Sequence, residues 1–339
     1  MSKLQGTVLR MNELKNYPIS LFEMMRAHKV VAKYIKPSHL IRYESLSRLI
    51  GCNVYVKHEN QNLTGSFKIR GGMNVMSHIK AKGISGVITF STGNHGLSVA
   101  TAAKLFDIPA VVVVPKSSNV AKIQLIKNAG AEVVEEGNNF DEAALVVDRI
   151  CRSKGYYYVH PANEPHLING VGTEFLEIIN ELPDIDAIIL PLGGGSEVAS
   201  ATIALKQLKP QVEIYAVQAE QSCAAQQSWK QKKILSRENN TFSGGFATGT
   251  AYETTFNIYK DALADFVLLS EDEIMNGIAL AAHHTRNLVE GAGSSTIMAA
   301  LQLKEQLKGK NVVLQFSGAN ASVDEIKNAY NLPSFIDGL

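Results

Sequence analysis

Three glycines and a serine, Gly193, Gly194, Gly195 and Ser196, stand between the apolar stretch AIILPL and the stretch EVASATIALKQL, which has helical spacing. Successive glycines let the backbone turn sharply and present several N–H groups, and a helix start behind them adds positive potential. This arrangement favours a phosphate-binding loop, and the alternative is a flexible turn. A Walker loop would need Gly-Lys-Ser/Thr and a dinucleotide fingerprint would need GxGxxG, and the run matches neither.

A single lysine in a glycine-rich setting is the second candidate. Lys68 lies in TGSFKIRGG, after a turn-forming Gly-Ser and before a glycine pair. Most lysines are solvated surface residues, and that is the plain alternative. If an aldehyde that carries a phosphate binds to the glycine run, its chemistry needs one amine that forms a Schiff base and later acts as a base. Lys68 is the candidate for this amine.

Two further loops follow apolar, β-branched runs. Residues 91–96 (STGNHG) follow VITF and open a helical stretch, which favours a small anion such as a substrate carboxylate, a plain helix cap, or both. Residues 317–320 (SGAN) follow VVLQF, and open α/β sheets bind ligands at such strand ends.

Short apolar runs alternate with longer stretches of helical spacing, which predicts a parallel α/β fold with helices on both faces of the sheets. The predicted strands are 54–56, 87–90, 110–114, 156–159, 187–190, 214–217 and 312–316. The predicted helices are 95–106, 120–128, 141–154, 171–181, 198–208, 271–288 and 294–307. Residues 223–263 have no long apolar run and predict an irregular excursion over a site.

Composition limits the class of protein. The 339 residues exceed the size of about 250–300 residues at which single cores stop growing, so two lobes are expected. Lys+Arg 33 against Asp+Glu 32 leaves no basic face for nucleic acid or an anionic membrane, and favours a small-molecule substrate. Three separated cysteines support neither disulfides nor a zinc site. Without a signal peptide or an apolar run of about 20 residues, the sequence predicts a cytoplasmic protein.

Six motifs occur in the order and spacing of the pyridoxal-phosphate enzymes of the tryptophan-synthase-β fold type, called fold type II. They are GSFKIRGG, STGNHG, HPANEP, GGGS, EGAG and SGAN. Over roughly residues 20–325 the chain resembles the serine/threonine dehydratase and serine racemase family. The resemblance implies two three-layer α/β/α lobes with pyridoxal 5'-phosphate in the cleft between them. It also implies a large cofactor-binding lobe (1–85 and 163–339), a small mobile lobe (86–162) and a homodimer.

The same resemblance implies the roles of individual residues. Lys68 forms the Schiff base and then acts as the base, and Thr92 is the second catalytic candidate. A hydroxyl at Ser317, beside the pyridine nitrogen, favours prompt loss of a β-substituent. The implied cofactor contacts are Phe67, Lys68, Asn94, Gly193, Gly194, Gly195, Ser196, Glu290 and Ser317. The implied substrate contacts are Ser91, Thr92, Asn94, His95 and Gly245.

The implied activity is β-elimination that converts L-threonine, L-serine or a related 3-hydroxy amino acid to a 2-oxo acid and ammonia. The alternatives are an amino-acid racemase of the same fold, a β-replacement enzyme, and a non-catalytic amino-acid sensor. Failure to turn over any amino acid with the cofactor bound would favour the sensor.

The sequence departs from the family pattern in three places. Ser196 stands where many relatives have a fourth glycine, and the acid Glu197 follows it with an orientation that the sequence leaves open. Thr92 stands where racemases carry serine and many dehydratases alanine, so its hydroxyl keeps racemisation as an alternative. Gln218 and Ala224 stand where the racemase branch has two metal-binding acids, so no metal is predicted.

Overall fold

A computed structural model of the chain describes residues 11–116, 118–137 and 140–339. The chain divides into two compact units. Unit 1 comprises Met1–Lys36, as far as it is described, and Lys68–Thr173, and unit 2 comprises Pro37–Phe67 and Glu174–Leu339. The small lobe predicted at 86–162 lies inside unit 1, and the predicted lobe limits stay a prediction.

The strands and helices are numbered here in chain order. The strands are β1 Leu40–Arg42, β2 Asn53–Lys57, β3 Val87–Phe90, β4 Ala110–Val114, β5 Glu132–Glu135, β6 Tyr157–Tyr158, β7 Ala187–Pro191, β8 Glu213–Ala219, β9 Asp265–Leu269 and β10 Asn311–Gln315. The helices of the first half are α1 Leu21–Val31, α2 Glu44–Ile50, α3 Lys68–Ala81, α4 Asn94–Leu105, α5 Val120–Asn128, α6 Phe140–Lys154 and α7 Pro165–Val171. Those of the second half are α8 Thr173–Glu181, α9 Ser196–Leu208, α10 Ala224–Gln231, α11 Glu253–Tyr259, α12 Glu271–Thr285, α13 Gly291–Gln302, α14 Lys304–Leu307, α15 Val323–Tyr330 and α16 Pro333–Asp337. Single 3₁₀ turns lie at Glu59–Gln61 and Glu220–Ser222.

Unit 2 is built on a six-stranded sheet with the order β1-β2-β10-β7-β8-β9. The edge strand β1 is antiparallel to β2, and the other pairs are parallel. Every residue of β7 is buried, as expected for a parallel strand covered on both faces. Because β7 and β10 are parallel neighbours, the segments that follow them leave the same edge of the sheet. This topology places residue 193 and residue 317 on one side of unit 2.

Unit 1 is built on a parallel four-stranded sheet with the order β5-β4-β3-β6. Its strands β3 and β4 contribute Ile88, Val111 and Val113 to a core that also holds Val146 and Ile150 of α6. The loop at residues 91–96 leaves the carboxyl end of β3, which is the end where open α/β sheets bind ligands.

The sequence predicted seven of the ten numbered strands and half of the numbered helices, and the parallel α/β class is confirmed. Three strands were missed, β1, β5 and β9. Strands β1 and β5 are short and lie at sheet edges, and β9 was overlooked although its apolar run FVLL is typical of a strand. The predicted excursion at 223–263 contains two short helices, α10 and α11. No helix within the described ranges combines the length and the apolar character that a membrane crossing requires.

Helix α3 was also missed, because glycines at its start weaken any helix pattern. In unit 1 these glycines allow close packing against α7 and α4. A Cβ atom at Gly71 would lie 2.7 Å from Leu167 Cγ, and one at Gly72 would lie 2.5 Å from Ser98 Oγ. Tertiary packing therefore explains the glycine pair that follows Lys68.

Candidate active site

The glycine run of unit 2 forms the turn between β7 and α9. Gly195 caps the amino end of α9 in the left-handed conformation, with φ +82°. Thr255 of α11 donates a hydrogen bond from Oγ1 to the carbonyl oxygen of Gly194 at 3.0 Å. The loop therefore stands at the start of a long helix, where N–H groups and the helix dipole favour an anion.

Gly245, from the excursion, lies directly against this loop. A Cβ atom at Gly193 would overlap the carbonyl oxygen of Gly245, so only glycine fits there. On its other side, a Cβ atom at Gly245 would lie 3.5 Å from Glu290 Oε1 and 2.5 Å from Ala292 Cβ. The structure thus brings the predicted residues Gly193, Gly245 and Glu290 together within unit 2.

Ser317 joins the same cluster from the end of β10. Its carbonyl oxygen accepts a hydrogen bond from the N–H of Phe67 at 3.1 Å, and the carbonyl oxygen of Gly318 accepts one from the N–H of Glu290 at 3.0 Å. Ser317 is 4% exposed and Glu290 is 8% exposed. The cofactor contacts predicted in unit 2 are therefore linked to one another by contacts within that unit.

Lys68 and the loop at 91–96 form a second group, in unit 1. Lys68 is the half-buried first residue of α3 and directly follows Phe67, the last residue of its segment of unit 2. Ser98 of α4 donates a hydrogen bond to the Lys68 carbonyl oxygen at 2.7 Å. Ser91, Thr92 and Asn94 are half-buried at the amino end of α4. Hydroxyl and amide groups in this position suit a carboxylate.

His95 differs from its neighbours because its ring points into the core of unit 1. Its Nε2 lies 3.0 Å from Thr89 Oγ1 and 3.1 Å from the carbonyl oxygen of Val159. A carbonyl only accepts, so Nε2 carries the proton. Burial lowers the pKa of His95 to about 3, so the ring is neutral. This geometry favours a positioning role for His95, and the predicted substrate contact stays a prediction.

We expect His95 to remain neutral in the folded protein between pH 8 and pH 5. Its pKa in the fold lies below the ordinary 6.5, so the unfolded chain binds a proton first as the pH falls. Protonation of His95 in the unfolded chain therefore lowers the free energy of unfolding as the pH falls from 6.5 towards 3, by roughly 1 kcal/mol per pH unit. NMR titration of ¹⁵N-labelled imidazoles, assigned with His95→Gln, checks this. A midpoint for His95 above pH 6 would contradict it.

The surface in unit 2 fits a group that carries a phosphate and a pyridine ring. The glycine loop supplies the anion cradle, and the Ser317 hydroxyl can hydrogen-bond a ring nitrogen. Tyr259 lies beside the loop, since a Cβ atom at Gly195 would lie 3.2 Å from its Cε1. Its buried hydroxyl has no hydrogen-bond partner among the described residues. Sequence reasoning missed Thr255 and Tyr259, because both lie in the excursion at 223–263, which has no recognisable motif at these positions.

Replacing Gly195 with alanine is expected to weaken the binding of pyridoxal 5'-phosphate by about tenfold or more. The φ of +82° strains any side chain, and the added methyl would lie 2.9 Å from Thr255 Oγ1. Gly309→Ala is the matched control, since Gly309 has φ +76° with nothing within 4 Å. Titration of the two apoproteins with the cofactor measures the difference, and equal affinities would refute the assignment of this loop.

Gln218 and Ala224 stand at the two positions where the resemblance implies metal-binding acids in the racemase branch. Gln218 Oε1 accepts a hydrogen bond from the Gln226 N–H at 3.2 Å. In the described ranges, no group of three or more His, Cys, Asp and Glu side chains is arranged to hold a metal ion. His283 and His284 are hydrogen-bonded to the backbone of the last residues of the chain.

Comparisons with known proteins show the family to which the chain belongs. Residues 31–318 match the family described as pyridoxal-phosphate dependent enzyme. The L-threonine ammonia-lyase of Thermotoga maritima is 35% identical over 315 residues, which cover 92% of this chain and 78% of the relative. The catabolic L-threonine dehydratase TdcB of Staphylococcus aureus strain N315 is 34% identical over 317 residues, with 91% of both chains covered.

Two solved structures show the same fold. Processed threonine deaminase isoform 2 from Solanum lycopersicum has a TM-score of 0.86 and 30% identity, covering 94% of this chain and 96% of that chain. Maize serine racemase has a TM-score of 0.88 and 26% identity, covering 92% of this chain and 97% of that chain. The fold is therefore that of the fold type II enzymes. Because residues 31–318 match that family and the two bacterial relatives are 35% and 34% identical to this chain, the chain belongs to the family of pyridoxal-phosphate dependent enzymes.

Proposed function

We propose that the protein is an ammonia-lyase that converts L-threonine, L-serine or a related 3-hydroxy amino acid to a 2-oxo acid and ammonia. The observation that carries the proposal is Ser317, a hydroxyl rather than a carboxylate, beside the glycine loop in unit 2. Such a partner leaves the pyridine nitrogen largely unprotonated, which favours early loss of a β-substituent. The names of the bacterial relatives support the same reaction.

When bound, pyridoxal 5'-phosphate withdraws electrons from the attached amino acid and thereby acidifies its α-hydrogen. The Lys68 amine then removes the α-proton as the general base. Ser91, Thr92 and Asn94 supply donors at the start of α4 for the substrate carboxylate, which fixes the amino acid for this transfer.

The remaining residues of the proposed site bind the cofactor or line the substrate side. Residues 193–196 hold the phosphate, and Phe67 packs beside the ring as the neighbour of Lys68. Glu290 and Gly245 lie next to each other. In this proposal Glu290 lies near the cofactor ring and Gly245 lines the substrate side.

The decisive experiment measures release of 2-oxo acid and ammonia from cofactor-loaded protein against a panel of L- and D-hydroxyamino acids, with chiral analysis of the remaining substrate. Equal amounts of both products would support the lyase and name its substrate. Inverted substrate without oxo acid would replace it with a racemase, and absence of turnover would favour a sensor. Thr92→Ala against Thr92→Ser tests whether the Thr92 hydroxyl takes part in any inversion.

A homodimer in the cytoplasm is part of the same proposal. Light scattering of the purified protein at several concentrations tests the assembly, and a monomer at all of them would refute it.

A further inference from the structure

Glu197, the acid that follows the phosphate loop, is turned into the interior of unit 2. It lies in the first turn of α9, directly after Ser196, and is 2% exposed. Its Oε1 accepts a hydrogen bond from Gln315 Nε2 at 2.9 Å. The orientation that the sequence left open is therefore towards the end of β10.

Gln315 connects two buried carboxylates. It is the last residue of β10, two positions before Ser317, and is fully buried. Its Nε2 donates to Glu197 Oε1 and also to Glu174 Oε2, the latter at 3.0 Å. Both amide hydrogens are thus used in hydrogen bonds to carboxyl oxygens.

The hydrogen bond between Glu197 and Gln315 lies beyond the last backbone pair of strands β10 and β7. The register between β10 and β7 pairs Val312 with Ala187 and runs to Leu314 with Ile189. Ser317 and Gly193 both lie beyond that last pair. The hydrogen bond between Glu197 and Gln315 therefore fixes two segments that the ladder itself leaves unjoined.

We propose that Glu197 is a positioning residue that acts through Gln315 to fix the distance between the phosphate loop and Ser317, and so raises the affinity for the cofactor. A rigid ligand with a phosphate at one end and a ring nitrogen at the other binds tightly only if both anchors are held at the matching separation. The inference rests on the cofactor part of the proposed function and is independent of the substrate.

The test compares Glu197→Leu, Gln315→Leu, the double variant and Glu197→Gln. Titration of each apoprotein with pyridoxal 5'-phosphate gives the dissociation constant, and ³¹P NMR reports the environment of the bound phosphate. Each leucine variant is expected to weaken binding by about tenfold and to shift the ³¹P signal in the same direction. The double variant should bind no more weakly than Gln315→Leu, because Gln315→Leu removes the hydrogen bond to Glu174 and already removes the hydrogen bond to Glu197 that Glu197→Leu abolishes. Glu197→Gln keeps the acceptor and should stay within about threefold of the parent.

Asp272→Leu is the matched control, because Asp272 is an exposed acid in the first turn of α12. Thermal unfolding of the apoproteins separates positioning from folding. Additive losses in the double variant, or affinity losses that simply follow apoprotein stability, would overturn the proposal. If the parent protein itself does not bind the cofactor, the proposed function fails instead. If binding behaves as expected without turnover of any amino acid, only the proposed reaction fails.

Discussion

Lys68→Ala is expected to lower turnover of the amino-acid substrate by about 10⁴-fold, at the upper end of what a general base contributes. The variant loses both the amine that joins the cofactor and the base that moves the α-proton. Lys68 begins α3 and is half-buried, so the methyl of alanine leaves the helix intact.

Steady-state assays of the cofactor-loaded variant measure this loss. Lys80→Ala is the matched control, since Lys80 lies in the same helix with its side chain 55% exposed. Borohydride reduction followed by peptide mass spectrometry provides a second readout, in which the cofactor should be attached to Lys68 in the parent and absent from the variant. Turnover within tenfold of the parent would remove Lys68 from the mechanism.

Lys57→Met is expected to destabilise unit 2 by about 3–5 kcal/mol, the largest stability change that a single ion pair predicts. Lys57 is fully buried at the end of β2, and its Nζ lies 2.8 Å from Glu177 Oε2. The same Nζ donates to the carbonyl oxygen of Ser38 at 2.8 Å. Removing the ammonium leaves the carboxylate of Glu177 buried without its main partner, which costs more than the pair contributes.

Urea unfolding of the apoprotein measures the free energy of unfolding. Lys127→Met is the matched control, because the pair of Lys127 with Glu135 at 3.1 Å is exposed on both sides and contributes at most about 1 kcal/mol. Lys57→Met combined with Glu177→Leu should recover part of the loss. If Lys57→Met and Lys127→Met cost the same, the buried pair does not contribute as described.

Local sequence was sufficient for the chemistry-bearing loops. The glycine run at 193–196 and the loop at 91–96 each stand at a junction between an apolar run and a helical stretch, and Lys68 stands between Gly-Ser and a glycine pair. Hydrogen bonding and side-chain periodicity within a few residues decide such junctions. The cofactor followed from the same motifs and from their order along the chain.

Which of these segments come into contact depends on the pairing of strands that are distant in the chain. Ser317 lies beside the glycine loop only because β10 pairs with β7, although more than 100 residues separate them, and strand pairing of this kind depends on long-range packing. For the same reason the sequence did not show that Gly245 and Thr255 of the excursion would contact the loop, nor that Glu197 would face Gln315. The chemical groups of these loops and the turns at residues 91–96 and 193–196 are predictable from the amino-acid sequence alone. Their distances, their burial and the inward orientation of His95 depend on contacts between residues far apart in the chain, which only the folded structure specifies.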